Sequence, residues 1–132
     1  MISRSVAQTE QYGETLARLL RPGDTVWLYG DLGAGKTALA RGVARGSGIT
    51  DRITSPTYAL NNVYTGNVTV AHYDAYRLEG FDDLVGAGWD EYESAVRIVE
   101  WSERAGGNAR GICIILEDIS ENEREISLCY LP

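Results

Sequence analysis

Lysine is nearly absent from this 132-residue chain: Lys36 is the single lysine, and the other eleven basic residues are arginines. Cysteine is scarce as well, because Cys113 and Cys129 are the only two. Two cysteines make no zinc pattern, and we expect both to be reduced and buried in strands. No apolar stretch reaches the ~20 residues of a membrane helix, and the polar N-terminus does not resemble a signal peptide. We therefore expect a cytoplasmic protein that does not contact a membrane.

Positive charge is also in deficit, with 12 basic against 19 acidic residues and a net charge of −7. Broad binding to nucleic acid depends on a basic surface, so direct contact with nucleic acid is expected to be weak or absent. The composition, 44% apolar and 23% charged, is ordinary for a globular protein. The length predicts a single domain over residues 1–132.

A glycine-rich motif, GDLGAGKT at residues 30–37, follows an apolar run and precedes a predicted helix. This order of strand, loop and helix is what a phosphate-binding loop requires. The glycines let backbone N–H groups turn toward phosphate oxygens, Lys36 reaches the outer phosphates, and the Thr37 hydroxyl binds Mg²⁺. The motif therefore predicts a nucleotide site whose contacts are Asp31, Leu32, Gly33, Ala34, Gly35, Lys36, Thr37 and Ala38, with the Asp31 side chain turned outward.

The nucleotide is predicted to be ATP, since the N-K-x-D signature of guanine-binding proteins is absent. The stretch DLVG at residues 83–86 fits the D-x-x-G pattern of GTPases. It does not follow a strand, so we interpret it as a chance match.

Periodicity predicts an α/β protein, with strands and helices alternating and two hairpins that force some antiparallel pairing. The fold class is a P-loop NTPase-like three-layer arrangement with a mixed parallel and antiparallel central sheet flanked by helices. The predicted first helix covers residues 9–21, with Leu19 on its apolar face, and is ended by Pro22-Gly23. A hairpin turn is predicted at Thr65-Gly66-Asn67.

Two acids stand at the ends of apolar strands, Asp74 after VTVAHY and Glu100 after VRIV. Ligands of α/β sheets sit at the carboxyl ends of the strands. We predict Glu100, Asp74 and Lys36 as catalytic residues, and Thr37, Asp74 and Glu100 as metal-binding residues. A solvated acid at a strand end is the alternative for each carboxylate.

Four further features are ambiguous on the residues alone. The hydroxyls of the TSPT stretch at residues 54–57 could sense a γ-phosphate, but an ordinary polar turn explains them equally well. His72 shares a strand face with Asp74, although a lone histidine is more often structural than catalytic. Trp101 is more often a core residue than a ligand contact, and Arg77 could offset phosphate charge or be solvated.

The order GDLGAGKT, SPTY, HYDAYRL, EY and VEW resembles the TsaE (YjeE) family of small bacterial ATPases over residues 30–103. The resemblance implies a switch-like loop at residues 54–58 that includes Thr57. It also assigns His72 and Asp74 to one family block and Glu100 and Trp101 to another, with Thr57 and Trp101 as nucleotide contacts. Ser102 departs from the family, many members of which have proline there.

The resemblance also implies an activity and partners. Members hydrolyse ATP with Mg²⁺, weakly when alone, and act with the TsaD–TsaB pair in making threonylcarbamoyladenosine on tRNA. Two alternatives stay open: a small-molecule or nucleoside kinase, and a nucleotide-gated binding module without physiological hydrolysis. The sequence does not specify the oligomeric state.

Overall fold

A computed structural model describes residues 1–31, 33–54, 61–104 and 111–131 of the chain. Two predicted nucleotide contacts, Leu32 and Thr57, lie outside these ranges, and of the predicted switch loop only Thr54 is described. The described residues form a seven-stranded mixed sheet flanked by helices, which confirms the predicted fold class.

The seven strands of the sheet are β1 (Ile2–Ser3), β2 (Thr25–Tyr29), β3 (Asn61–Thr65), β4 (Thr69–Asp74), β5 (Val96–Glu100), β6 (Gly111–Asp118) and β7 (Arg124–Leu131). Their spatial order is β1-β7-β6-β2-β5-β4-β3. Four neighbouring strands, β6, β2, β5 and β4, run parallel, while β3 pairs antiparallel with β4, and β7 pairs antiparallel with both β6 and β1. Both predicted hairpins are present as β3–β4 and β6–β7.

Helices cover both faces of the sheet and give three layers. The first, α1 (Val6–Ala17), begins at Ser5, whose hydroxyl accepts the N–H of Gln8, as N-cap residues do. It packs beside α2 (Lys36–Gly46) on the sheet face formed by the apolar side chains of Val26, Leu28, Val96 and Ile98.

The opposite sheet face is covered by α3 (Phe81–Gly86) and a 3₁₀ turn, Asp90–Tyr92. Trp89, between them, stacks on Trp27 of β2 with ring centroids 5.5 Å apart. Because β2 and β5 are covered on both faces, their sequences are nearly continuous apolar runs, as expected for central parallel strands. No helix in the four described ranges has the length and apolar character needed to cross a membrane.

Two predictions about individual side chains are wrong. Helix α1 ends at Ala17, before Pro22-Gly23, and Leu19 beyond it is 73% exposed. Cys113 is buried, but Cys129 is exposed, because β7 lies near the sheet edge and β1 pairs with only its first two residues. Helical or strand periodicity identifies the apolar side of an element but not where its covering neighbour ends.

The α1–α2 contact depends on glycine. A Cβ at Gly42 would lie 2.0 Å from the carbonyl oxygen of Glu10, and a Cβ at Gly13 would lie 2.5 Å from that of Leu39. The two backbones therefore approach more closely than any side chain would allow. This approach fixes α2, and with it the glycine loop that precedes α2.

We predict that Gly42→Ala destabilises the protein by about 1–3 kcal/mol, because the added methyl group forces the helices apart. Thermal and urea unfolding measure the loss. Gly86→Ala is the matched control, because the added Cβ would meet no atom within 4 Å beyond its chain neighbours and the backbone of its own helix. Equal stability of the two variants would contradict the close approach.

Candidate functional site

The carboxyl ends of three parallel strands meet at one edge of the sheet. Asp74, the last residue of β4, is in register with Glu100, the last residue of β5, and β5 lies beside β2. The N–H of Ala75 continues this pairing by donating to the carbonyl of Glu100 at 2.9 Å. The register therefore brings both predicted acids beside the loop that leaves β2.

The glycine loop connects β2 to α2 with a backbone that favours glycine. Gly33 and Gly35 have φ values of 81° and 102°, in the left-handed region that side chains with a Cβ rarely adopt. Gly35 is the N-cap of α2, and no side chain caps the helix. Since the first N–H groups of a helix have no intrahelical partner, this N-terminus suits an anion.

Lys36 lies folded against its own loop. Its ammonium donates to the backbone carbonyls of Gly30 and of Asp31, the latter at 3.1 Å, and the residue is only 5% exposed. Burial lowers the pKa of Lys36, and the nearby carboxylate of Glu100 partly opposes that shift. The single lysine is thus held at the loop by partners that a phosphate group could replace.

Trp101 forms the wall facing Lys36. The ammonium of Lys36 lies 3.7 Å from the centroid of the Trp101 ring, a cation–π contact. The Tyr76 ring packs against the same indole at 5.0 Å. Trp101 is also the only non-glycine residue with a positive φ, 57°, in the described part of the chain. A ring held in an unfavourable backbone conformation is more often seen at functional sites than elsewhere.

Glu100 links two residues that are distant in sequence. Its Oε1 accepts the Thr37 hydroxyl at 3.1 Å, and its Oε2 lies 2.5 Å from Nε2 of His72. Glu100 is 3% exposed and His72 is 1% exposed. A buried carboxylate requires such partners, because its desolvation would otherwise be costly.

Asp74 is only partly buried, and it accepts the backbone N–H of Tyr76 at 2.9 Å. Burial raises the pKa of Asp74 above its ordinary value of 3.8, the Tyr76 hydrogen bond opposes the rise, and the charge of Glu100 adds to it. Two carboxylates facing one space resist joint ionisation, which a cation between them would relieve.

Most of the predicted site residues surround a cavity of about 470 Å³. Nine of the ten residues that line it were predicted as site residues from the sequence, and Tyr76 is the exception. The ten are Gly33, Ala34, Gly35, Lys36, Thr37, Ala38, Asp74, Tyr76, Glu100 and Trp101. Asp31 contributes its carbonyl to Lys36, while its side chain is exposed as expected.

A second cavity, of about 140 Å³, flanks the glycine loop on the side away from the acids. Arg124 of β7 reaches the loop there, and its Nη2 donates to the carbonyl of Gly33 at 3.3 Å. Sequence reasoning missed this wall, since its members come from the two ends of the described chain and share no pattern: Arg4, Ser5, Val6, Thr9, Glu121, Asn122 and Arg124.

The donor set at the cavity fits Mg²⁺ in part. Thr37, Asp74 and Glu100 present a hydroxyl and two carboxylates, the oxygen ligands that this ion prefers. Among the described residues, no three His, Cys, Asp or Glu side chains cluster closely enough to hold a metal ion alone. Mg²⁺ usually keeps several waters and shares substrate phosphates, so a partial protein set is consistent with its chemistry.

Comparison with known proteins gives consistent matches. The profile of the family described as "Threonylcarbamoyl adenosine biosynthesis protein TsaE" matches residues 3–126. The TsaE proteins of Treponema pallidum and Streptomyces coelicolor are 39% and 42% identical to this chain, over 96% and 70% of its length. These alignments span 97% of the first relative and 66% of the second.

A solved structure has the same fold. The crystal structure of YdiB from Bacillus subtilis superposes with a TM-score of 0.78 at 29% identity, covering all of this chain and 84% of YdiB. Sequence family and fold therefore agree. The chain belongs to the TsaE family of threonylcarbamoyl adenosine biosynthesis proteins.

Proposed function

We propose that this chain binds and hydrolyses Mg·ATP, and that turnover drives the TsaD–TsaB machine that transfers a threonylcarbamoyl group to a tRNA adenosine. The observation that carries the proposal is the cavity in which the glycine loop, Lys36, Thr37, Asp74 and Glu100 converge. Membership of the TsaE family supports the pathway.

The phosphate groups of ATP would lie along the glycine loop and the N-terminus of α2. Lys36 would exchange the carbonyls of Gly30 and Asp31 for phosphate oxygens. Such an exchange needs only a side-chain rotation, because the helix position of Lys36 already faces the cavity. A compact ammonium can sit between phosphate groups where a planar guanidinium fits poorly.

The acids would divide the remaining work. Mg²⁺ neutralises phosphate charge when bound, and Thr37 and Asp74 would hold it directly or through water. Glu100 would position the attacking water or a metal-bound water, since its carboxylate lies beside the Thr37 hydroxyl. Glu100→Gln should therefore slow hydrolysis by roughly 10²-fold while leaving nucleotide binding nearly intact.

A protein partner fits this chain better than tRNA. Its net charge of −7 disfavours a phosphate backbone as the main ligand. The partly buried Trp101 contacts Lys36, so displacement of that ammonium by a γ-phosphate would alter the rim of the cavity. A tenfold change in partner affinity requires only about 1.4 kcal/mol of differential contact.

A nucleoside or small-molecule kinase would use the same phosphate loop, and a nucleotide-gated binding module would use it without turnover. The kinase requires an acceptor that becomes phosphorylated, whereas the ATPase releases inorganic phosphate. Phosphate release with and without the partner pair, together with a screen for phosphorylated acceptors, separates the three functions.

Lys36 gives a direct test of nucleotide binding, because it is the only side-chain amine. We predict that Mg·ATP at ten times its dissociation constant slows modification of Lys36 by an amine reagent about tenfold. The α-amino group of Met1 is the internal control and should react at an unchanged rate. Mass spectrometry measures the labelling of each amine. Equal labelling of Lys36 with and without Mg·ATP contradicts the nucleotide site.

Partner docking is tested by measuring binding of this chain to TsaD–TsaB from the same organism. We expect at least about tenfold tighter binding with a non-hydrolysable ATP analogue than with ADP or no nucleotide, a shift of about 1.4 kcal/mol. Bare tRNA serves as the competing ligand. Identical affinity in all three nucleotide states contradicts nucleotide-dependent docking. Tight binding to bare tRNA, with none to TsaD–TsaB, contradicts the proposed partner.

Asp74→Asn is predicted to improve stability while impairing function. Because burial raises the folded-state pKa of Asp74, ionisation at neutral pH costs folding free energy, and asparagine avoids that cost while keeping an acceptor for Tyr76 N–H. In EDTA, the variant should melt above the wild type at pH 7. The difference should vanish as pH falls through the folded-state pKa toward 3.8, where the wild-type carboxyl is protonated.

The same variant should bind Mg·ATP roughly 10–100-fold more weakly, as changes around metal sites usually do. Asp82→Asn, an exposed carboxylate on α3, is the control for loss of one negative charge. If Asp74→Asn melts below the wild type at pH 7 with EDTA, or binds Mg·ATP normally, the role given to Asp74 is wrong.

A further inference from the structure

His72 occupies a position where packing alone would favour an apolar side chain. It lies on β4 two residues after Val70, facing the core that Val70 shares with Ile98 of β5. His72 is 1% exposed, and Ile98 is its partner in the strand pairing. An imidazole at this depth costs desolvation, so its polar contact must offset that cost.

The imidazole makes one polar contact within the described residues. Nε2 of His72 lies 2.5 Å from Oε2 of Glu100, whereas Nδ1 is buried and has no hydrogen-bond partner there. A carboxylate only accepts, so Nε2 carries the proton and donates it. The contact thus assigns a proton to Nε2.

Glu100 is consequently held at both oxygens. Thr37 donates to Oε1 from the start of α2, and His72 donates to Oε2 from β4. Two donors from different elements fix the plane of the carboxylate, which one donor would leave able to rotate. We propose that His72 is a positioning residue that sets the orientation of the Glu100 carboxylate in the cavity, an inference that rests on the proposed ATPase function.

The positioning role requires a hydrogen-bond donor at position 72 of β4. A glutamine in place of His72 would put an amide N–H close to the position of Nε2, whereas a leucine would fill similar space without a donor. His72→Gln and His72→Leu therefore form a matched pair. We expect His72→Leu to lower the turnover number at least about tenfold with less than about threefold change in Mg·ATP affinity, and His72→Gln to recover most of the turnover.

A double-mutant cycle tests whether His72 acts through Glu100. In the Glu100→Gln background, His72→Leu should cost almost no further turnover, because the group that it positions is gone. An equal loss in both backgrounds overturns the inference, as does normal turnover in His72→Leu. A purely structural role would lower both variants' stability without this non-additivity, so urea unfolding of each variant is measured in parallel.

Nitrogen NMR gives a readout independent of turnover. His72 is the only histidine, so ¹⁵N-histidine labelling yields the two nitrogens of one ring. We expect a protonated Nε2 in the wild type, with the Nε2–H signal shifted in Glu100→Gln. A proton on Nδ1 alone overturns the inference. A wild type that releases no phosphate even with TsaD–TsaB contradicts the proposed function, and the spectrum then reports on the His72–Glu100 contact by itself.

Discussion

The parallel register of β2, β5 and β4 is the constraint on which the site depends. It places Glu100 level with Asp74 and brings both beside the loop that follows β2. The register is itself fixed by burial on both faces, because a slip of one residue would turn Ile98 and Glu100 to the opposite side of the sheet. Packing of the core and alignment of the acids are therefore the same requirement.

The glycine loop depends in turn on α1. Close approach at Gly42 fixes α2, and Thr37 in the first turn of α2 then reaches Glu100. The packing of α1 against α2 thus helps to place the Thr37 hydroxyl on Oε1 of Glu100. His72 completes the contact from the sheet. Thr37, Glu100 and His72 come from three different elements, α2, β5 and β4. Packing of these elements therefore holds the three side chains in place.

Much of this architecture could be predicted from sequence because its signals are local. The motif at residues 30–37 predicted strand, loop and helix together, and the apolar runs before Asp74 and Glu100 predicted two acids at strand ends. The partner of His72 could not be predicted, since alternation gives the face of a strand but not its neighbour. Exposure of Leu19 and Cys129 was missed for a related reason: the pattern of one element does not show where the adjacent element stops.

Trp101 is subject to two demands that conflict with each other. Its φ of 57° suits glycine or asparagine, whereas the contacts with Lys36 and Tyr76 require a large aromatic ring. Replacement by glycine or asparagine therefore relieves the backbone strain and removes the ring at the same time. Loss of activity in a Trp101 variant would not by itself identify the indole as the cause. At position 101, a residue that relieves the backbone strain removes the ring, and a residue that keeps a ring keeps the strain.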